Sequence, residues 1–345
     1  MTNFLRNAWY AAIWAHDLPA ETPVARTLLG EKVVLFRTES GRAVALADRC
    51  CHRAAPLSRG TCAGETIECG YHGLRYDATG ACVHIPGQDR IPPGAAVRSY
   101  PVCERWKAVW IWMGDPARAD EAAIPDYFWL DDPGWTATAG YIPMRAHYQL
   151  LIDNLLDFTH VTYLHRNTIA GEPAEGTVPV KVERLDRAVR VSRWLLDFDP
   201  PPLFARAGGF NGKVDRWQYT TWTAPSTLAF DVGCARAGTG APDGDRSQGI
   251  SIWSTHLITP ETETTTHYHW AYVRDFALED AALTRLLHDG ARATFEEDVA
   301  MIEAQQRNLG GASLDGLVDI NADRPPLQMR RIMAELIAEE ARLAG

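Results

Sequence analysis

The amino-acid sequence predicts an α+β fold made of two domains with different architectures. Short segments of alternating apolar and polar residues, separated by turn residues, fill the first third of the 345-residue chain. A stretch rich in Pro and Asp follows, and beyond it longer alternating segments are combined with helical periodicity. We therefore predict an all-β domain over residues 1–115, a linker over 116–134, and a second domain over 135–345. The second domain should be an antiparallel sheet with helices laid against it, a helix-grip arrangement.

The all-β prediction for the first domain rests on segments such as Lys32–Phe36, Ala43–Ala47 and Ala108–Trp112. Apolar residues dominate each of them, and turns containing Gly or Pro lie between them. Several short strands at close spacing are typical of small β domains, whose loops are free to carry a functional site. We expect two such loops at the tip of this domain to bind metal.

In the second domain, apolar residues recur at helical spacing in three segments and at alternate positions in three others. The predicted helices span residues 147–165, 278–308 and 325–343. The predicted strand regions span residues 180–195, 216–233 and 249–273. The Gly-rich segment 237–249 is predicted to be either a mobile lid or a plain hairpin tip.

Composition excludes several classes of function. The net charge of -10 and the absence of a run of Lys and Arg argue against a nucleic-acid partner. No apolar stretch approaches the roughly 18 residues that a membrane-spanning helix needs, and the amino terminus lacks the pattern of a secretion signal. We therefore expect a cytoplasmic protein without a membrane partner. Seven cysteines, an odd number, argue against a disulfide framework.

Two Cys–His pairs are the most informative feature of the first domain. Cys50 and His52 lie on one predicted loop, and Cys69 and His72 lie on another. A [2Fe–2S] centre of Rieske type needs two thiolates on one iron and two imidazoles on the other, and these loops provide one ligand of each kind. The alternative is a zinc site, but zinc sites favour pairs of like residues. Cys51 could compete with Cys50, although C-x-H places both side chains on one side of an extended segment, which favours Cys50.

A second candidate metal site lies in the predicted helix 147–165. Asp153, Asp157 and His160 are spaced to share one helical face. His165 lies five residues after His160, and a regular helix would rotate it about 140° away. The two histidines can therefore meet at one ion only if the helix ends or distorts between them. A pair of structural histidines remains the alternative.

A carboxylate for that site is offered by the helix at 278–308. Asp298 shares an inward face with Phe295, Met301 and Ile302, while Glu296 and Glu297 are predicted to be solvated. An inward Asp is paired, protonated or bound to metal, and two histidines with one carboxylate form a common site for non-heme Fe(II).

Together these motifs resemble the oxygenase component of Rieske non-heme iron oxygenases, and the similarity extends over nearly the whole chain. It includes CCHRAAPLS at 50–58, CGYHGLRYD at 69–77, IDNLLDFTH at 152–160 and FEEDVAMIEAQQRNL at 295–309. By these phrases the chain is similar to vanillate O-demethylases and toluenesulfonate methyl-monooxygenases, and less so to dicamba demethylase.

The resemblance implies an N-terminal Rieske domain and a role for each motif residue. The implied ligands of the [2Fe–2S] cluster are Cys50, His52, Cys69 and His72. The implied ligands of a mononuclear Fe(II) are His160, His165 and Asp298. Asp157 matches a carboxylate that bridges a cluster histidine of one subunit to an iron-ligand histidine of its neighbour, and Asn154 matches a polar residue near the iron. His256 matches a contact to the substrate carboxylate, whereas Phe230 and Trp222 are candidates for lining the substrate pocket by their residue type and not by the resemblance.

The resemblance also implies an activity and partners. We expect a monooxygenase that uses O2 to hydroxylate a methyl or methoxy carbon of a small aromatic acid. With a methoxy substrate, as in vanillate O-demethylation, the product would release formaldehyde. Electrons would come from NADH through a flavin and iron–sulfur reductase, and a homotrimer is expected. Alternatives are methyl hydroxylation of an aromatic sulfonate, ring cis-dihydroxylation, N-demethylation and, outside the enzymes, a Rieske electron carrier.

The loop sequences carry an expectation about the cluster potential. Respiratory Rieske loops contain an additional cysteine in each loop, and here Ala55 and Gly70 stand at those places. A more exposed cluster with fewer hydrogen bonds should lie toward the low end of the Rieske range of roughly −150 to +300 mV.

Overall fold

In the computed structural model, which describes residues 4–166, 168–169, 176–310 and 317–344, the chain folds as two compact units. The first unit runs to Pro125 and also includes Thr259–Glu263. The second comprises Asp126–Ile258 and the residues from Thr264 onward. The boundaries expected at residues 115 and 135 stay a prediction.

The first unit is built from three small sheets, which confirms its predicted all-β class. The strands are β1 Trp9–Trp14, β2 Val24–Leu28, β3 Glu31–Arg37, β4 Ala43–Ala47, β5 Thr61–Ala63, β6 Thr66–Glu68, β7 Arg75–Tyr76, β8 Cys82–His84, β9 Ser99–Tyr100, β10 Val102–Arg105 and β11 Ala108–Trp112. The strand orders of the three sheets are β1-β11-β10, β2-β3-β4-β9 and β5-β6-β7-β8, and the paired strands are antiparallel.

Alternating apolar side chains explain the core of this unit. In β3, Val34 and Phe36 point to one side and pack with Val44 and Leu46 of β4, and all four are buried. The buried thiols of Cys50 and Cys69 belong to this same cluster, so the sheets fix both Cys–His loops.

The second unit contains a seven-stranded sheet. Its strands are β12 Thr136–Met144, β13 Lys181–Arg184, β14 Ala188–Phe198, β15 Val214–Thr223, β16 Thr227–Arg236, β17 Gly249–Thr262 and β18 Thr265–Arg274. Their order in the sheet is β12-β18-β17-β16-β15-β14-β13. Each predicted strand region is therefore a hairpin, because the tight turns within 180–195, 216–233 and 249–273 do not interrupt the apolar alternation.

Helices pack against this sheet, as the predicted α+β class requires. They are α1 Tyr148–Leu156, α2 Val161–Leu164, α3 Pro202–Gly208, α4 Ala281–Leu309 and α5 Arg324–Ala344. Helix α4 lies on β12 and β18, and α1 packs against α4 and α5. Asp280 caps the start of α4 by accepting the Leu283 N–H at 2.9 Å, and Gly310, with φ of +56°, ends it.

The continuous helix predicted over 147–165 is wrong. Helix α1 ends at Leu156, because Asp157 leaves the helical region and its carboxylate accepts hydrogen bonds from the backbone and the hydroxyl of Thr159, both at 2.7 Å. Asp157 and His160 therefore do not share a helical face with Asp153, which pairs with Arg330 of α5 instead.

The Pro- and Asp-rich segment 116–134 contains three short 3-10 helices and buried side chains. Trp129 stacks on Trp253 with 3.9 Å between ring centroids, and its indole N–H donates to Thr255. The Gly-rich segment 237–249 includes a short 3-10 helix at Ala241–Asp243. Within the described ranges, no helix combines the length and hydropathy needed to cross a bilayer.

Candidate metal centres

The two Cys–His loops of the first unit have the same backbone conformation. In each loop the cysteine N–H donates to the carbonyl five residues ahead, Ala55 for Cys50 and Leu74 for Cys69, both at 2.8 Å. In each loop, the N–H group four residues after the cysteine donates to the cysteine carbonyl: Ala54 to Cys50 at 3.0 Å and Gly73 to Cys69 at 2.9 Å. Ala54 and Gly73 both have positive φ, +57° and +71°. An alanine there costs about 1 kcal/mol or more, so packing must enforce this turn.

Two glycines let the segments that carry these loops approach each other. A Cβ on Gly60 would lie 1.9 Å from the carbonyl oxygen of Glu68, and one on Gly70 would lie 2.5 Å from that of Arg59. Any side chain at either position would push the loops apart.

The four donors are arranged as a Rieske cluster requires. The Cys50 and Cys69 thiols are buried and interact with each other, while His52 and His72 are exposed with ring centroids 4.7 Å apart. Burial raises the pKa of the Cys69 thiol, and the backbone N–H groups of Tyr71 and His72 act against that rise. Two sulfurs on the inside and two imidazoles on the outside match the two ends of one [2Fe–2S] group, so the residues fit the cluster.

The expectation that an extended segment distinguishes Cys50 from Cys51 is wrong, because residues 51–53 form a turn. Burial distinguishes them instead: Cys50 belongs to the core and Cys51 is exposed. The hydroxyl of Tyr76 on β7 lies 3.1 Å from the Cys50 sulfur and 3.2 Å from the Cys51 sulfur. Sequence reasoning missed this hydroxyl, which lies next to a candidate cluster ligand.

The two histidines of the second unit lie at the two ends of one short helix. Helix α2 is a single turn, with His160 at its N-cap and His165 at its C-cap. Their ring centroids lie 5.1 Å apart. The end of the helix that was required between the two histidines occurs at His165, whose backbone leaves the helical region with φ of −101° and ψ of 31°. The break at Asp157 comes before both histidines.

Asp298 of α4 completes a site that can hold a metal. Its Oδ1 lies 3.5 Å from His160 Nε2 and 3.0 Å from His165 Nε2, and one donor atom from each residue lies within 4.8 Å of the others. Asp298 and His165 are buried, as predicted for Asp298. Two imidazoles and one carboxylate suit a non-heme Fe(II), so the residues fit this cofactor too.

Neighbouring side chains orient these donors. Asn154 of α1 donates to Asp298 Oδ1 at 2.9 Å, and its role near an iron stays a prediction. Asp157 Oδ2 lies 4.0 Å from His160 Nδ1, and that nitrogen makes no hydrogen bond to any residue in the described ranges. Burial lowers the pKa of His160, and the charges of Asp298 and Asp157 oppose this only in part.

The prediction that Glu297 is simply solvated is wrong. Its carboxylate is half-buried and lies 2.7 Å from His165 Nδ1, because a glutamate side chain is long enough to reach around the helix from a flanking position. Burial lowers the pKa of His165, but the hydrogen bonds and charges of Asp298 and Glu297 outweigh it, and the net pKa is raised. Met301, predicted to point inward, is exposed, while Glu296 is exposed as predicted.

The predicted substrate contacts lie on one face of the large sheet. Across the neighbouring strands β15, β16 and β17, Trp222 pairs with Leu228, which pairs with His256. Two residues further along the same face, Thr220 pairs with Phe230, which pairs with Ser254. His256 is fully buried between Ser254 Oγ at 2.9 Å and the Tyr268 hydroxyl at 2.6 Å. Its ring contacts Phe230 and Phe295 with centroid distances of 4.5 and 5.2 Å. The roles of these residues toward a substrate stay predictions.

Two protein-family models match the chain. The Rieske [2Fe-2S] domain matches residues 8–101, and the Vanillate O-demethylase oxygenase C-terminal domain matches residues 144–339. The toluene-4-sulfonate monooxygenase system iron-sulfur subunit TsaM1 of Comamonas testosteroni is 46% identical, with 98% of each chain covered. A vanillate O-demethylase oxygenase subunit of Pseudomonas sp. (strain HR199) is 36% identical, with 99% of this chain and 97% of the relative covered. The crystal structure of dicamba monooxygenase bound to dicamba superposes with a TM-score of 0.90 at 34% identity, covering 98% of this chain and 99% of that one.

An iron–sulfur domain followed by a 2-His-1-carboxylate domain defines an oxygenase that contains its own electron-transfer centre. The chain belongs to the Rieske non-heme iron oxygenases, as the oxygenase component of a multicomponent monooxygenase that needs a reductase. This confirms the predicted family, the [2Fe–2S] cluster and the mononuclear iron. It excludes the alternative of a Rieske electron carrier, because the second domain is itself that of an oxygenase.

Proposed function

We propose that this protein hydroxylates a methyl or methoxy carbon of an aromatic acid, with O-demethylation of a methoxybenzoate as the principal reaction. Cys50, His52, Cys69 and His72 hold the cluster, and the iron triad is formed by three residues of the second unit, His160, His165 and Asp298. The observation that carries the proposal is that triad, whose donor atoms lie within 4.8 Å of one another. Three protein donors would leave a bound Fe(II) able to take other ligands.

The side chains around the triad prepare the site before any substrate arrives. When loaded, the cluster supplies single electrons and the mononuclear iron supplies the means to activate O2. Asn154 fixes Asp298 through its amide N–H, so the carboxylate keeps one orientation. The rings of Phe295 and His256 contact each other next to Tyr268, and all three side chains are buried away from solvent.

Recognition of the acid by His256 would depend on hydrogen bonding rather than charge. Burial lowers the pKa of His256 to about 3, so the imidazole is neutral at physiological pH. Both of its nitrogens already contact Ser254 and Tyr268. An anionic substrate group would therefore have to take over one of these hydrogen bonds, and Phe230 and Trp222 would provide apolar surface for the ring.

A second candidate reaction is hydroxylation of the methyl group of an aromatic sulfonate. It is favoured by the higher identity to a toluene-4-sulfonate monooxygenase subunit, 46%, than to the vanillate O-demethylase subunit, 36%. The two reactions differ in product. A hydroxylated methoxy carbon is a hemiacetal that collapses to a phenol and formaldehyde, whereas a hydroxylated arylmethyl group is a stable alcohol.

Electron supply and assembly form the last part of the proposal. Asp157 has one carboxylate oxygen held by Thr159 and the other directed toward His160, and its side chain is 25% exposed. The partial exposure of Asp157 and its orientation toward His160 favour a role for Asp157 in receiving an electron from the cluster of a neighbouring subunit in a homotrimer. The electron donor would be an NADH-dependent flavin and iron–sulfur reductase, in a cytoplasmic complex.

The test is a product assay on two matched sets of compounds, methoxybenzoates and methylbenzenesulfonates. The loaded protein, NADH and a reductase of this type should release one formaldehyde per phenol from a methoxybenzoate. Alcohol formation from a methylbenzenesulfonate, with no turnover of any methoxybenzoate, would replace the first reaction with the second. The Asp298→Ala variant is the control, because it should keep the cluster and form neither product. Absence of both products while the cluster is reduced normally by the reductase would refute the proposal.

A further inference from the structure

Two consecutive residues of α4 approach the two nitrogens of one imidazole. Asp298 Oδ1 lies 3.0 Å from His165 Nε2, and Glu297 Oε2 lies 2.7 Å from His165 Nδ1. The ring itself is only 1% exposed. His165 is thus held at both nitrogens by one helical turn, although α4 is far from α2 in the sequence.

The Glu297 contact determines which nitrogen of His165 can bind a metal. Both nitrogens face a carboxylate, so both can donate a hydrogen bond when no metal is bound. A metal held between Nε2 and Asp298 would replace the proton on Nε2, and Glu297 would then accept the proton that remains on Nδ1. Glu297 is itself oriented, because the Thr168 hydroxyl donates to the same Oε2 at 2.9 Å. A charged acceptor at Nδ1 also makes the imidazole a stronger donor at Nε2.

The other histidine of the triad is held less firmly. His160 Nδ1 makes no hydrogen bond to the described residues, and its nearest carboxylate, Asp157, is 4.0 Å away. His160 is also more exposed than His165, at 21% against 1% of the side chain. The two imidazoles therefore differ in how firmly each ring is oriented before metal binds.

We propose that Glu297 is a positioning residue for the iron site, which fixes the tautomer and ring orientation of His165 and thereby sets the affinity for the metal. The inference rests on the proposed iron triad of His160, His165 and Asp298. Glu297 does not touch the metal; it acts through His165 alone. Loss of such an outer hydrogen bond typically weakens metal binding about 10- to 100-fold.

The experiment compares three variants of the holoprotein from which the mononuclear iron has been removed while the cluster is kept. Glu297→Ala removes both the hydrogen bond and the charge, whereas Glu297→Gln keeps an acceptor of the same reach without the charge. Glu296→Gln is the matched control, because Glu296 is exposed on the same turn and pairs with Arg292 instead. Cobalt(II) alone is the probe, since its paramagnetic signal is visible while the oxidised cluster gives none.

Glu297→Ala should bind cobalt(II) about 10- to 100-fold more weakly and change its paramagnetic spectrum, because the His165 ring is no longer fixed. Glu297→Gln should lose less affinity and keep the wild-type spectrum, and Glu296→Gln should match the wild type. Cluster absorbance and melting temperature identify a variant that has failed to fold. If Glu297→Ala cannot be purified, Glu297→Gln decides the outcome: a loss of cobalt(II) affinity relative to Glu296→Gln supports the inference, and equal affinity overturns it.

Wild-type affinity and spectrum in both Glu297 variants would overturn the inference, as would an equal loss in Glu296→Gln. The triad is tested separately by Asp298→Ala, which should abolish cobalt(II) binding. If Asp298→Ala instead bound cobalt(II) as the wild type does, the proposed iron site would fail, and the role of Glu297 would fail with it.

Discussion

Replacing Tyr76 by Phe should lower the reduction potential of the cluster. The Tyr76 hydroxyl lies 3.1 Å from the sulfur of Cys50, and the Tyr76 ring is fully buried. The backbone N–H of Cys51 donates to the same hydroxyl oxygen at 3.2 Å, so the hydroxyl proton is left free to point to a sulfur. Reduction places additional negative charge on the cluster and its sulfur ligands, and a donor to a sulfur therefore stabilises the reduced form more.

The expected fall in reduction potential follows from the free energy of one buried hydrogen bond. A hydrogen bond contributes about 0.5–1.5 kcal/mol net, and the contribution is larger when one partner is charged. A difference of about 1.4 kcal/mol, a factor of ten, corresponds to about 59 mV for a one-electron couple. If about half to all of a 1 kcal/mol bond is specific to the reduced state, the potential should fall by roughly 20–40 mV. Phe keeps the ring, so the packing of the core should change little.

The assay is a redox titration of the cluster, followed by its visible absorbance or its paramagnetic signal. Tyr163→Phe is a suitable control, because Tyr163 is exposed and lies in the second unit. Cys51→Ala tests whether the second sulfur near the hydroxyl, at 3.2 Å, competes for its proton; removing that competitor should not lower the potential. An unchanged or higher potential in Tyr76→Phe would refute the reasoning.

Three further predictions concern the second unit. Asp298→Ala should reduce the iron content from about three to about two per chain and abolish turnover, while the cluster absorbance stays normal. Iron analysis of the purified variant tests this, and retention of the third iron would contradict it. Asp157→Ala should keep about three irons per chain yet abolish turnover, because only the electron route is lost. The rate at which the reduced cluster is reoxidised in a single turnover with substrate and O2 tests this. A wild-type rate would show that Asp157 has no bridging role. Stability should fall as the pH drops below about 6.5, since His256 has its folded pKa lowered to about 3 and the unfolded state binds the additional proton. The slope from this residue is at most about 1.4 kcal/mol per pH unit, and His256→Gln should flatten the melting-temperature profile between pH 7.5 and 5; an identical profile would show that His256 does not cause it.

Sequence reasoning predicted the parts of this molecule that local patterns determine. Alternating apolar residues predicted the strands of the first unit, and the Cys–His pairs predicted its metal loops, because their members are close in the sequence. The apolar face of α4 predicted the burial of Asp298, since that face must pack on the sheet. The two histidines that face Asp298 across the metal site were harder to predict, because a spacing of five residues does not by itself bring two histidines together.

What sequence reasoning missed depends on side-chain reach and on contacts between distant segments. Glu297 lies at the edge of the inward face of α4, and periodicity describes Cα directions but not the length of a glutamate side chain. The end of α1 was predictable in part, because Asp157-x-Thr159 is a pattern that competes with helix through side-chain hydrogen bonds. The contact between Tyr76 and Cys50 joins β7 to a loop 26 residues earlier, and no local pattern predicts it.

Both metal centres place an imidazole on the side of their own unit that faces solvent. In the first unit the thiols are buried and His52 and His72 are exposed, so an electron can leave the cluster most directly through a histidine edge. In the second unit His165 is enclosed and fixed by Glu297, whereas His160 and Asp157 are partly exposed. A fixed inner ligand would keep a bound metal in place, and a less constrained outer ligand would be free to adjust if a donor docked against Asp157, as we propose. Because the electron would arrive at His160 and not at His165, substitution of Glu297 should weaken metal binding, whereas substitution of Asp157 should slow electron arrival and leave the metal bound.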